Sequence, residues 1–84
     1  MPQTPTVGQP YTARISGVLN PDNLRCTVGG SVRYPTIRLV DAETGTYDVE
    51  FDGSDITCPG PVLITEKVNG AEIERHNAAV SGCP

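Results

Sequence analysis

Apolar and acidic residues alternate without a break through Tyr47-Asp48-Val49-Glu50-Phe51-Asp52. A period of two places Tyr47, Val49 and Phe51 on one face of a strand and three carboxylates on the other. The same period, cut by glycine, proline and asparagine, organises most of the chain. Tyr11, Ala13 and Ile15 against Thr12, Arg14 and Ser16 predict a strand over residues 11–19. Asn20-Pro21-Asp22-Asn23 is a turn, because proline presets φ while Asn and Asp bond the nearby backbone. A second strand spans residues 24–28 and ends at Gly29-Gly30. A third, over residues 32–40, contains Pro35, which has no ladder N–H and therefore belongs at an edge or a bulge. Glu43-Thr44-Gly45 turns it into the alternating strand, and residues 55–58 add a brief strand before Pro59-Gly60-Pro61. Residues 62–68 form the most apolar run and are expected to cross the core. Asn69-Gly70 then demands a hairpin with positive φ, with residues 71–75 as its return strand and a last strand near Ala79-Val80. No stretch carries a convincing helical period. Six to seven strands at this spacing predict an all-β sandwich over residues 11–84.

Residues 1–10 differ: Pro2, Pro5 and Pro10 stand among Thr and Gln, the composition of an extended arm. Such an arm is disordered on a lone domain, so it is expected to lie across a neighbouring subunit, with Val7 and Tyr11 filling pockets there. At 84 residues the chain holds one domain. With three Tyr, one Phe and no Trp, a core this small calls for a disulfide, a metal or a partner. The net charge of −4 argues against binding to phosphate backbones, so no nucleic acid is expected. Asp41, Glu43, Asp48, Glu50, Asp52 and Asp55 fall where no basic residue interrupts them. They form either a solvated face or a surface for a basic partner. No apolar run approaches a membrane span or a leader h-region. The chain is thus expected to stay in the cytoplasm that makes it, or to have lost a leader.

Cys26, Cys58 and Cys83 are odd in number for a closed disulfide framework and many for a reduced protein. Three readings stand: one intramolecular disulfide with a leftover thiol, three reduced thiols with Cys26 and Cys58 packed as small hydrophobes, or zinc held with His76. The last lacks any close Cys pair. Cys83, beside the C-terminus, has the most freedom to crosslink another chain.

Candidate catalytic chemistry is thin. Asp48-x-Glu50-x-Asp52-Gly53 opens like a calcium loop, but Pro59 stands where the bidentate Glu belongs, and strand alternation alone accounts for the carboxylates. His76 is the only histidine, and a Cys83–His76 pair would have no orienting group. Neither catalysis, nor a metal, nor a cofactor is expected. Arg14, Arg33 and Arg38 are expected to pair across strands with the acidic residues.

Ile15-Ser16-Gly17-Val18, Thr36-Ile37-Arg38-Leu39-Val40-Asp41 with Thr44-Gly45, Tyr47-Asp48-Val49-Glu50-Phe51, and Pro59-Gly60-Pro61-Val62-Leu63-Ile64-Thr65-Glu66 follow one another in an order that resembles prealbumin-like sandwich modules. These include the B-type repeats of collagen adhesins and carboxypeptidase regulatory-like domains. The resemblance spans roughly residues 15–68 and implies an Ig-like or prealbumin-like fold. The adhesin repeats carry a Lys–Asn crosslink whose Lys lies on the first strand; here that strand offers Arg14, and the only lysine is Lys67, so the crosslink is not expected. In style the chain resembles bacteriophage virion accessory proteins, such as capsid decoration, cement, collar or tail components. That resemblance implies a non-enzymatic assembly subunit of the virion whose partners are neighbouring subunits or a capsid or tail protein. The alternative is a secreted, monomeric Ig-like binding module with an intramolecular disulfide.

Overall fold

A computed structural model describes residues 4–83. Seven strands and two single-turn 3-10 helices follow one another: β1 (Tyr11–Ile15), η1 (Pro21–Asn23), β2 (Leu24–Val28), β3 (Ser31–Arg33), β4 (Thr36–Asp41), β5 (Thr46–Phe51), η2 (Gly53–Asp55), β6 (Val62–Val68) and β7 (Ala71–Ala78). They form two antiparallel sheets, one ordered β1-β5-β4 and the other β3-β2-β6-β7. The fold is all-β and sandwich-like, with one core drawn from both sheets.

The alternation sets which side chains meet. Tyr11, Ala13 and Ile15 of β1 oppose Phe51, Val49 and Tyr47 of β5, and opposed residues share a face. In the other sheet, Cys26 and Val28 oppose Ile64 and Val62. These inward residues, with Val18, Ile56 and Val80 from the connections, constitute the core. Val49, Val62 and Ile64 are wholly buried, each contributing about 1.5–3 kcal/mol relative to exposure.

Three expected elements differ. The strand over residues 32–40 is two strands: at Tyr34-Pro35 the chain leaves the four-stranded sheet and enters the three-stranded one. Proline closes the ladder at that crossing because it has no N–H to donate. Residues 55–58 form no strand; Ile56 follows η2 and plugs the core. β7 runs on to Ala78, and the strand expected near Ala79-Val80 is a single parallel bridge between Ser81 and Thr6. The Asn69-Gly70 hairpin turns as its sequence demands, Asn69 taking a φ of 52°.

One polar group lies among the core residues. Val62, Ile64 and Glu66 share the inner face of β6, and Glu66 is 0% exposed. Its Oε2 accepts hydrogen bonds from the backbone N–H groups of Leu19 (2.9 Å) and Asn20 (2.8 Å). Its Oε1 accepts from Nε (3.0 Å) and Nη2 (2.7 Å) of Arg75. Arg75 reaches it through a bulge: Ile64 pairs with His76 and Thr65 with Glu74, leaving Arg75 as the unpaired residue between them. A bulge re-aims its side chain, here along the sheet toward the crossover that joins β1 to β2.

Burial pushes the Glu66 carboxyl upward, but the N–H of Asn20, the guanidinium of Arg75 and the N–H of Leu19 together hold it below its ordinary value of 4.5. The folded state therefore binds this proton more weakly than the unfolded chain does. Its stabilisation is complete above pH 4.5 and drains away as pH falls through the lowered folded value. Glu66→Gln leaves Arg75 without its counter-charge and is expected to cost about 3–5 kcal/mol at neutral pH. Urea unfolding at pH 7 and below pH 4 checks this: the gap between wild type and Glu66→Gln should narrow in acid.

Candidate docking surface

The two sides of the sandwich are finished differently. On one side β1 and β7 are edge strands, and the Tyr11 hydroxyl bridges them to Nε2 of His76 at 2.7 Å. Burial lowers the pKa of His76 and raises that of Tyr11. At neutral pH the ring is therefore uncharged, and its tautomer sets which of the two groups donates the hydrogen bond. His76 is half-buried and hydrogen-bonded to Tyr11 across this side.

On the other side β4 and β3 are the edges, joined through Tyr34-Pro35. All six residues of β4 are exposed. Ile37 opposes the buried Val49, and Leu39 opposes Tyr47, so both point inward, toward the second sheet. That sheet does not cover them: Ile37 is 38% and Leu39 56% exposed. Among the described residues, five of the eight exposed large apolar side chains lie in residues 32–40: Val32, Tyr34, Ile37, Leu39 and Val40. Tyr34 projects from the crossing at 91% exposure. An apolar strand with one edge of unpaired backbone groups is a template for another strand.

The acidic comb of β5 is neutralised on the outer face of the same sheet. Nε and Nη2 of Arg14 donate to the two carboxylate oxygens of Asp48 at 2.9 and 3.2 Å, and Arg38 grips Glu50 likewise at 3.2 and 3.3 Å. The Arg14 hydrogen bonds hold Asp48 below the usual carboxylate range, with the charges of Arg14 and Arg38 adding to them against partial burial. Arg33 approaches Asp55 at 3.8 Å across the sandwich, and Arg25 approaches Glu72 at 3.9 Å. Pairs that stand in solvent add little to stability. They leave Asp48 and Glu50 engaged rather than open to a calcium ion. Among the described residues, no three His, Cys, Asp or Glu side chains gather in a way that could hold a metal, and no helix is long and apolar enough to cross a membrane.

Residues 4–10 lie on their own domain. The N–H of Val7 donates to Ser81 O (3.0 Å), that of Ser81 to Pro5 O (2.8 Å), and that of Gly8 to Ile56 O (3.0 Å). Pro5 is buried, and Gly53 lets the arm close in, since a Cβ there would sit 2.6 Å from Gly8 O. Tyr11, expected in a neighbour's pocket, is 3% exposed inside this chain's own core. Val7 is 37% exposed, with its backbone tied to Ser81. The physical reason is the C-terminal tail, which offers the arm unpaired backbone groups within the same molecule. Residues 1–3 lie outside the described residues.

The cysteines divide accordingly. Cys58 and Cys83 form an intramolecular disulfide, which removes both the crosslink to another chain through Cys83 and the zinc set with His76. Cys26 is a free thiol in the core, where burial pushes it up to about 11. It is inert at neutral pH.

The disulfide spans 25 residues and anchors the tail that in turn holds the arm. Closing a loop of that length stabilises by about 3.5 kcal/mol in the chain-entropy account. Cys58→Ser/Cys83→Ser is expected to lower Tm by more than about 10 °C. Amide exchange should also speed up at Val7, Gly8 and Ser81 before it does at β5 or β6. Differential scanning calorimetry and exchange NMR check the two effects.

Comparison with protein-family models, with curated proteins and with solved structures found no match to this chain.

Proposed function

We propose that this protein is a non-enzymatic assembly component that docks onto another protein chain through the free edge of β4. The observation that carries this reading is the exposed, inward-facing pair Ile37 and Leu39 on an edge strand. Buried apolar area drives association, and the unpaired backbone groups of an edge add a ladder to it. Specificity then comes from the side chains on the two faces of the added strand. The absence of enzymatic activity is part of the proposal. In support of it, His76 is engaged by Tyr11, Cys26 is held protonated, and Asp48 and Glu50 are paired with Arg14 and Arg38.

The prealbumin-like or Ig-like class belongs to this proposal, as does an accessory position on a phage particle. The Cys58–Cys83 bond accords with a particle surface, where disulfides persist. It accords equally with an extracellular space. The arm folded on its own domain and the intramolecular disulfide favour a second reading, a secreted binding module that uses the same edge. Both readings make β4, rather than the arm, the docking element.

Panning a display library of random extended peptides on the full chain tests the common claim. Selected peptides should alternate apolar and polar residues, and Leu39→Lys should weaken them at least about tenfold, a loss of about 1.4 kcal/mol. No enrichment, or enrichment indifferent to Leu39→Lys, would overturn the reading.

A further inference from the structure

The occupant of the β4 edge can be read from the strand itself. From the pattern of this edge we infer that the partner is a second copy of this chain, its β4 laid antiparallel against the first about a two-fold axis through Arg38. This rests on the docking role proposed for β4 and names the partner.

Two identical edges can continue one antiparallel sheet only about an axis perpendicular to it, so residues paired across the join sum to a constant, even number. Centred on Arg38, that number pairs Ile37 with Leu39 of the second copy, Leu39 with Ile37, and Arg38 with Arg38. The three residues belong to the regular part of β4, since the register shift between β4 and β5 lies beyond Leu39. Both inward-facing residues of each copy thus meet an apolar partner, the arrangement that contributes most in cross-strand pairing. The apolar surface that the second sheet leaves open is covered from both sides at once.

Charge decides against the obvious objection. Two arginines directly opposite each other would repel. Each Arg38 is already gripped by Glu50 of its own β5, through Nε at 3.2 Å and Nη2 at 3.3 Å. In register the outer row across the axis is Arg14, Asp48, Arg38, Arg38, Asp48, Arg14, and with the two Glu50 carboxylates that grip the Arg38 side chains it carries no net charge. A shift of the axis to Leu39 would set Leu39 against itself and carry Ile37 to the far side of the β4 bulge, where Asp41 pairs with the outward Thr46, and lose the apolar match. Away from the join each copy carries a charge of −4, so the copies repel at long range and added salt should tighten the dimer. A contact held by ion pairs between copies would loosen instead.

Of the four edges, β4 carries the most exposed large apolar side chains: Ile37, Leu39 and Val40 against Ile73 alone on β7. β1 is tied to β7 through Tyr11 and His76. β3 is only three residues long and carries Arg33. The product is a six-stranded sheet ordered β1-β5-β4-β4-β5-β1, flanked by two four-stranded sheets.

Sedimentation velocity of the oxidised full chain, run over a concentration series reaching about 1 mM, tests the dimer; that limit corresponds to about 4 kcal/mol of association. A concentration-dependent dimer is expected, and Leu39→Lys should weaken it at least tenfold. Arg38→Glu, which gathers four carboxylates at the axis, should do the same. Both residues are exposed, so near-UV circular dichroism should be unchanged. In a sample mixing labelled and unlabelled chains, isotope-filtered NMR should show intermolecular contacts between Ile37 and Leu39. A chain monomeric at 1 mM, or a dimer abolished by Val32→Lys but not by Leu39→Lys, overturns the proposal. Should the monomer still bind the selected peptides through Leu39, the homodimer fails and the docking reading stands. Loss of both would end both.

Discussion

The carboxylate of Glu66 is the polar group on which the rest of this sandwich depends. It receives four hydrogen bonds: two from the backbone of the β1–β2 crossover and two from Arg75 on β7. The crossover carries the chain from the three-stranded sheet to the four-stranded one, so its position sets where β1 stands relative to β2. A leucine at position 66 would pack but could not satisfy the N–H groups of Leu19 and Asn20, and orphaned backbone donors cost about 1–3 kcal/mol each. The ion pair therefore acts as a specifier of geometry: it chooses one path for the loop and one aim for the β7 bulge. A small core with two buried aromatic rings, Tyr11 and Phe51, and Tyr47 packed against them has little other means of fixing how its two sheets lie.

The remaining connections are held by backbone groups. The N–H groups of Gly17 and Val18 donate to Thr44 O and Gly45 O, tying the same crossover to the β4–β5 turn. Gly45 is needed there twice over, for its φ of 64° and because a Cβ would sit 2.6 Å from Val18 O. At the far end the disulfide holds the tail, the tail holds Pro5 and Val7, and the arm covers η2. Stabilising contacts thus accumulate at the β1/β7 side and along the arm. The β4 side is left with exposed apolar residues and an unpaired edge. A sandwich that spends its closing contacts on one side presents the other to a partner.

Much of the strand content was legible in residues 11–15, 24–28, 46–51 and 62–68, because a period of two requires only local chemistry. The same alternation places Glu66 on the inner face with Val62 and Ile64. Its burial was written in the chain, although a carboxylate in an apolar run reads at first as an exception. The split at Tyr34-Pro35 was signalled only by the proline. Periodicity cannot tell a bulge from a change of sheet, since side chains alternate on either side of both. Ile37 and Leu39 read as core positions by the same rule, and the rule is satisfied: they face inward. Whether anything lies beneath them depends on how far the second sheet extends, which no local pattern encodes.

The amino-acid sequence by itself determined the all-β class, the inward and outward faces of β1, β5 and β6, the Asn69-Gly70 hairpin and the acidic outer comb. All of these follow from steric and solvation preferences acting within a few residues. Tertiary structure decided which of the three cysteines pair, because two thiols 25 residues apart join only when the fold brings them together, here to a Cα separation of 5.5 Å. It also decided that the arm lies on its own domain, since the hydrogen bonds that hold it come from Ser81 and Ile56. Finally it decided that β4 is exposed, because burial is a property of what stands opposite a strand, and that is set by the packing of two sheets.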